Sequence, residues 1–197
     1  MDCGLVAIGC SWGGLSAIRR LLGRFSSDFK PAIVIAQHRG ADSSARLLLE
    51  LLRPSSALPV SEAEDKAPVA GGHIYVAPAD YHLLVETDGF ALSLEQRVQY
   101  SRPSIDVLFE SVADVYGEQA VGVVLTGANA DGAAGIRAIK HHGGTTLAQD
   151  PATAERAEMP AAAIATGMVD TVATLEDIAD HLMEICRPPV QSGGADA

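Results

Sequence analysis

The sequence predicts an α/β fold: a modified doubly wound, mostly parallel sheet with helices on both faces and a short antiparallel hairpin region. Three observations predict it. Apolar runs of strand length, such as Leu5-Val6-Ala7-Ile8 and Ala32-Ile33-Val34-Ile35-Ala36, alternate with segments whose leucines and isoleucines recur at helical spacing. These runs are apolar at every position, which suits strands covered on both faces. The middle of the chain breaks the rhythm, with Thr87-Asp88-Gly89 set between two short apolar runs as a hairpin signal.

The elements follow in order. Residues 5–10 read as the first strand, and Leu15, Ile18, Leu21 and Leu22 form the stripe of the first helix. Residues 32–36 form the second strand, followed by a helix carrying Leu47, Leu48, Leu51 and Leu52. Short strands are expected at 74–77, 83–85 and 90–94. The alternation then resumes: a helix over 104–116, a buried strand over 120–125, and a helix over 132–141 closed by Gly143-Gly144. A strand at 145–148, a short helix at 160–168 and a longer one at 175–186 complete the set. Nothing repeats internally and no linker is evident, so residues 1–187 are expected to form one domain. Residues 188–197, rich in Pro, Gly and small polar residues, read as a disordered tail.

Composition excludes several classes. A net charge of −11 argues against a nucleic-acid partner. No apolar run is long enough to span a bilayer, and the N-terminus lacks a secretory-signal pattern. Cys3, Cys10 and Cys186 have no metal-ligand spacing and cannot all pair within one chain, so a reducing, cytoplasmic setting is the simplest reading. Neither a metal nor a cofactor is expected.

In a doubly wound sheet the carboxyl ends of the strands carry the ligand site. Three strands end there in reactive residues. The first runs into Gly9-Cys10-Ser11-Trp12-Gly13-Gly14, the second into Gln37-His38-Arg39-Gly40, and a third into Thr126-Gly127-Ala128-Asn129-Ala130-Asp131-Gly132. A serine hydroxyl is a weak nucleophile until an imidazole takes its proton, and the imidazole needs a carboxylate on its other nitrogen. Ser11, His38 and Asp131 supply those three types. The Trp12 N–H and one near Ala128 are candidates for holding an oxyanion. His38 must be neutral to act as a base, so turnover should fall in acid.

Each residue also has an ordinary explanation. Ser11 could cap a helix or line a phosphate loop, His38 could be structural, and Asp131 could be a helix N-cap. Their joint placement at three strand ends favours catalysis. A nucleotide-binding reading fits less well. The middle glycine of the dinucleotide fingerprint is replaced by Ser11, and the second strand ends in His38 rather than an acidic residue. His82 is expected to serve packing, His141 and His142 a helix end, and His181 a surface. Alternation turns Cys10 away from the side that Ser11 faces, and Glu62 to Asp65 read as a solvated loop.

Taken together, these motifs resemble the catalytic domain of the chemotaxis receptor protein-glutamate methylesterases, the CheB type. The resemblance rests on residues 7–14, Gln37-His38, residues 73–78, residues 102–109, the segment from Leu125 to Ala133, Ala148-Gln149-Asp150 and Met159-Pro160. It covers about residues 4–186. It implies a modified doubly wound domain in which Ser11 is the nucleophile, His38 the base and Asp131 the orienting acid. The implied reaction is hydrolysis of glutamyl methyl esters on a methylated chemoreceptor or receptor-like protein, with deamidation of glutamines as a second activity. Three positions depart from the family pattern: Trp12 replaces a usual threonine and is expected to change the substrate pocket's volume and polarity, Ala128 replaces a usual methionine, and Asn129 a usual glycine, the last expected to need a left-handed backbone. Family members often carry an N-terminal receiver domain. None is seen in this sequence, so the expectation is constitutive action, regulation by a receiver in trans, or a sequence that is a fragment of a longer chain. The rival readings are a catalytically weak homologue serving as a binding or scaffold module in a signalling complex, and a related amidase or esterase acting on a different protein.

Overall fold

The computed structural model describes residues 3–187. Nine strands and six helices appear in them. They run β1 (Leu5–Cys10), α1 (Gly14–Leu22), β2 (Ala32–Gln37), α2 (Ala45–Leu52), β3 (Val60–Glu62), β4 (Ile74–Val76), β5 (His82–Glu86) and β6 (Gly89–Ser93). Then come α3 (Ile105–Tyr116), β7 (Ala120–Val124), α4 (Ala133–His141), β8 (Thr145–Gln149), α5 (Glu158–Ala165), β9 (Thr171–Ala173) and α6 (Leu175–Ile185).

Seven strands form one parallel sheet in the order β3-β4-β2-β1-β7-β8-β9, and β5 and β6 form a separate antiparallel hairpin. The alternation of β1 explains the layers. Val6, Ile8 and Cys10 join Ile18, Leu21, Leu22, Ile178 and Leu182 of α1 and α6 on one face. Leu5 and Ala7 join Ile105, Leu108, Phe109 and Ile136 of α3 and α4, with Leu83 and Phe90 of the hairpin, on the other. Each buried Leu, Ile or Phe contributes about 1.5–3 kcal/mol of transfer free energy. From β1 the chain adds β2, then β3 at the edge and β4 between them, and returns to lay β7 on the opposite side of β1. That reversal puts a crevice at the carboxyl ends of β1 and β7.

Several expectations need correction. Strands β3 and β9 were not expected; unlike the equally short β4 (Ile74-Tyr75-Val76), neither Val60-Ser61-Glu62 nor Thr171-Val172-Ala173 is an apolar run. Glu62 is therefore the end of a strand, and it pairs with Arg39 at 2.8 Å. Helix α5 begins at Glu158, two residues before Pro160, because the first helical turn leaves its N–H groups unpaired and tolerates proline. Cys3 and Cys186 form a disulfide across a sequence separation of 183, so only Cys10 is free among the described residues and the cysteines do not argue for a reducing setting. Their spacing gave no sign of proximity, which arises because β1 and α6 lie in adjacent layers. The tail expected over 188–197 lies outside the described residues. No helix in them is long and apolar enough to cross a membrane.

Candidate active site

Parallel register assembles the site. Cys10 pairs with Gln37 and Gly9 with Val124, so one further step sets Ser11 level with His38 on one side and two further steps set it level with Thr126 on the other. Two hydrogen bonds continue the ladders: His38 N donates to Cys10 O at 3.0 Å and Ser11 N to Thr126 O at 2.9 Å. The chain then turns sharply. Gly14 N donates to Ser11 O at 2.9 Å, and Gly13 takes a φ of 76° at the N-cap of α1. The Thr126 hydroxyl donates to Trp12 O at 2.9 Å and accepts from Arg156 N at 2.9 Å, which clamps this turn to the loop after β7.

His38 and Asp131 are in direct contact. His38 Nε2 lies 2.6 Å from Asp131 Oδ2, with the carboxylate fully buried and the imidazole nearly so. A carboxylate without solvent needs donors, and α3 supplies them. Ile105 N donates to Asp131 Oδ2 at 2.8 Å, Asp106 N to Oδ1 at 3.0 Å and Ser104 Oγ to Oδ1 at 2.9 Å. The start of α3 reaches this far because side chains are missing where it lands. A Cβ at Gly9 would collide with Ile105, and one at Gly132 would lie 2.9 Å from Ile105 Cγ2. The positive end of the helix dipole thus faces the anion. Burial pushes the Asp131 carboxyl upward. The His38 hydrogen bond, the backbone N–H groups of Asp106 and Ile105 and the charge on His38 outweigh it and hold the carboxyl below its usual range.

A carboxylate acceptor fixes the histidine tautomer. With Nε2–H donated to Asp131, Nδ1 is the basic nitrogen, and Ser101 Oγ lies 3.2 Å from it. Ser11, His38, Ser101 and Ala128 line one cavity of about 430 Å³. Among the described residues, Ser11 Oγ has no hydrogen-bond partner, and neither do the backbone N–H groups of Trp12 and Ala128.

Of the residues singled out from sequence, Ser11, His38, Asp131 and Ala128 therefore converge. The Trp12 side chain does not. It is 58% exposed and points out of the cavity, donating from Nε1 to Glu155 at 2.8 Å beneath the Arg156 guanidinium. Asn129 has no positive φ; its side chain instead accepts from Asp131 N at 3.2 Å, so the loop turns by a side-chain bond and needs no left-handed residue. Cys10 is buried beneath α1, and burial pushes its thiol far above the usual range. His82 is buried and accepts from Ser104 N at 3.2 Å, supporting the cap that holds Asp131.

Sequence reading missed Ser101, Arg39 and Asp106. The Asp106 carboxylate accepts from the N–H groups of both Gly132 and Gly135 at 2.8 Å, fixing the start of α4. Burial raises its carboxyl to about 6, helped by the Asp131 charge and opposed by those two N–H groups. Asp106 could have been suspected as an acidic residue in the first turn of a strongly apolar helix. Nothing in the sequence marked Ser101, and Arg39 stood out only as part of the loop that carries His38.

The fold and the site define an α/β protein with a buried His–Asp pair beside a serine turn at a topological switch point. The CheB methylesterase family model matches residues 6–182, and the chain belongs to that family. A protein of Leptospira interrogans provisionally named protein-glutamate methylesterase/protein-glutamine glutaminase is 45% identical over 186 residues, covering 94% of this chain and 96% of the relative. The protein-glutamate methylesterase/protein-glutamine glutaminase of Maricaulis maris is 40% identical over 178 residues, covering 88% of this chain but only 44% of the relative. The chain thus spans nearly all of one relative and under half of the other. The crystal structure of the Thermotoga maritima CheB methylesterase catalytic domain superposes with a TM-score of 0.90 at 31% identity, covering 94% of this chain and all of that one.

Proposed function

We propose that residues 1–187 form a cytoplasmic serine hydrolase domain that cleaves glutamyl methyl esters, and deamidates glutamines, on the cytoplasmic helices of a chemoreceptor or receptor-like protein. The observation that carries this reading is the His38–Asp131 pair opening into the cavity that Ser11 lines. Substrate binding brings Ser11 Oγ to His38 Nδ1 in place of Ser101. Ser11 Oγ attacks the ester carbonyl while Nδ1 takes its proton, and the N–H groups of Trp12 and Ala128 receive the oxyanion. The imidazolium, stabilised by Asp131, returns the proton to the departing methoxide and methanol leaves. Water then attacks the acyl-enzyme by the same route, giving a glutamate carboxylate and restoring Ser11. Trp12 acts here through its backbone alone, so its side chain leaves the pocket's volume intact. A receiver domain supplied by another chain is the regulator this reading allows.

The test is methanol release from methylated receptor fragments by wild type and Ser11→Ala. Release by wild type with a loss of at least about 10³-fold in the variant is expected. One observation favours the rival reading of a non-catalytic signalling module: Ser11 Oγ makes no hydrogen bond to His38. Equal, negligible release from both proteins, with receptor binding intact, would establish that module instead.

A further inference from the structure

The wall of the cavity beside Ser11 holds three arginines, Arg39, Arg97 and Arg102, and no acidic residue. The chain around it carries a net charge of −11. Two of the three are satisfied. Arg97 and Arg102 share the Asp80 carboxylate, each at 2.9 Å, and Arg102 also donates to Leu94 O and Glu95 O. Arg39 differs. It follows His38 directly, and its side chain is 8% exposed. Nη2 donates to Glu62 Oε1 at 2.8 Å and to Ala77 O at 2.7 Å. Nε and Nη1 are buried with no acceptor among the described residues. A buried donor left unpaired costs about 1–3 kcal/mol, and more on a charged group. A guanidinium in this state, at the edge of a cavity without carboxylates, keeps two donors that its ion pair with Glu62 leaves unused.

We propose that Arg39 binds a free carboxylate of the substrate protein, an acidic side chain next to the ester that Ser11 attacks. The inference rests on the esterase reading above and names what that site selects. Guanidinium and carboxylate match in shape and charge, and their hydrogen bonds are roughly twice as strong as neutral ones. A protein segment whose glutamates are only partly esterified presents free carboxylates beside each ester. With Asp80 and Glu62 paired to them, the three guanidiniums leave one net positive charge at this wall of an acidic protein, and a cavity focuses it. Arg39 is therefore a specificity residue: it orients the acidic segment so that the neighbouring ester meets Ser11.

The experiment compares pairs of helical peptides carrying one glutamyl methyl ester. Members of a pair differ at one flanking position, aspartate in one and asparagine in the other, and that position is moved in turn to one, three and four residues from the ester. Wild type should favour aspartate about tenfold or more in kcat/KM at one of these positions, chiefly through KM, and less at high salt. Arg39→Gln should bring that ratio to within about twofold of one. A merely structural Arg39, bracing the ends of β2 and β3, would lower turnover of both peptides and leave their ratio unchanged. That result, or a wild-type ratio near one at every position, overturns the proposal, and the latter needs no variant to fold. If wild type releases no methanol from any peptide, the esterase reading fails by itself. The affinity of Ser11→Ala for the same pairs, measured by calorimetry, then decides: a tenfold aspartate preference sustains the Arg39 site and equal affinities dismiss it.

Discussion

The turns that follow β1 and β7 share a plan. Each leaves a buried parallel strand, passes a glycine with positive φ (76° at Gly13, 99° at Gly132) and enters a helix whose N-cap residue supplies no side-chain bond. The polar residue each turn presents is treated in opposite ways. Ser11 lines the cavity, and its hydroxyl has no partner among the described residues. Asp131 is fully buried and meets His38, Ser104 Oγ and two backbone N–H groups of α3. A group that must give up its proton and attack gains from being free, whereas a group that must hold an imidazole gains from being fixed. The same local design serves both, and the neighbouring helix makes the difference.

Four measurements break or sharpen this contrast. The largest effect is expected for Asp131→Asn, which keeps the shape but loses the charge and the acceptor that fixes the His38 tautomer. Methanol release should fall about 10³–10⁴-fold. A loss under tenfold would remove Asp131 from the mechanism.

Stability separates the two turns next. Asp131→Ala strands four donors in a buried site and should cost about 3 kcal/mol or more. Ser11→Ala should stay within about 0.5 kcal/mol. Urea denaturation checks both, and equal costs would end the distinction between a free and a fixed group.

The pH dependence of stability tests the second buried carboxylate. Asp106 titrates at about 6 in the folded protein against an ordinary 3.8. Between these values the folded state binds more protons than the unfolded one, so this group's contribution falls as pH rises from about 4 to 6. Asp106→Asn should remove that slope, so its Tm relative to wild type should rise across the window. Asp131 has the opposite sign: its depressed carboxyl adds stability at neutral pH that is lost only in stronger acid. Parallel Tm curves for wild type and Asp106→Asn would contradict the assignment.

The smallest effect belongs to Trp12→Phe. The ring lies outside the cavity, and the substitution removes only the hydrogen bond to Glu155. Methanol release should change less than about threefold, with a stability loss of no more than about 1 kcal/mol. A tenfold change would bring the ring into substrate binding.

Much of this arrangement was legible in the chain. The apolar runs at 5–8, 32–36 and 120–125 are long enough to show strands buried on both faces, and a reactive residue follows each. Asp88-Gly89 marked the hairpin that β5 and β6 form. Legibility failed where a short strand carried polar residues, as in β3 and β9, and where a property depended on a distant partner. Trp12 looked like a pocket residue because it follows Ser11, yet Glu155, 143 positions away, draws it outward. Cys3 and Cys186 looked unrelated because their spacing carries no geometry.

The sequence by itself determined the α/β alternation, the three strand ends and the residue types placed on them, because these follow from local periodicity and from turn chemistry at glycine. Tertiary structure alone decided which nitrogen of His38 meets Asp131, that Ser101 faces the other, that α3 aims its first N–H groups at a buried carboxylate, and that Arg39 keeps two donors unpaired. Those are contacts between elements far apart in the chain, and they exist only once the sheet and its two helical layers have packed.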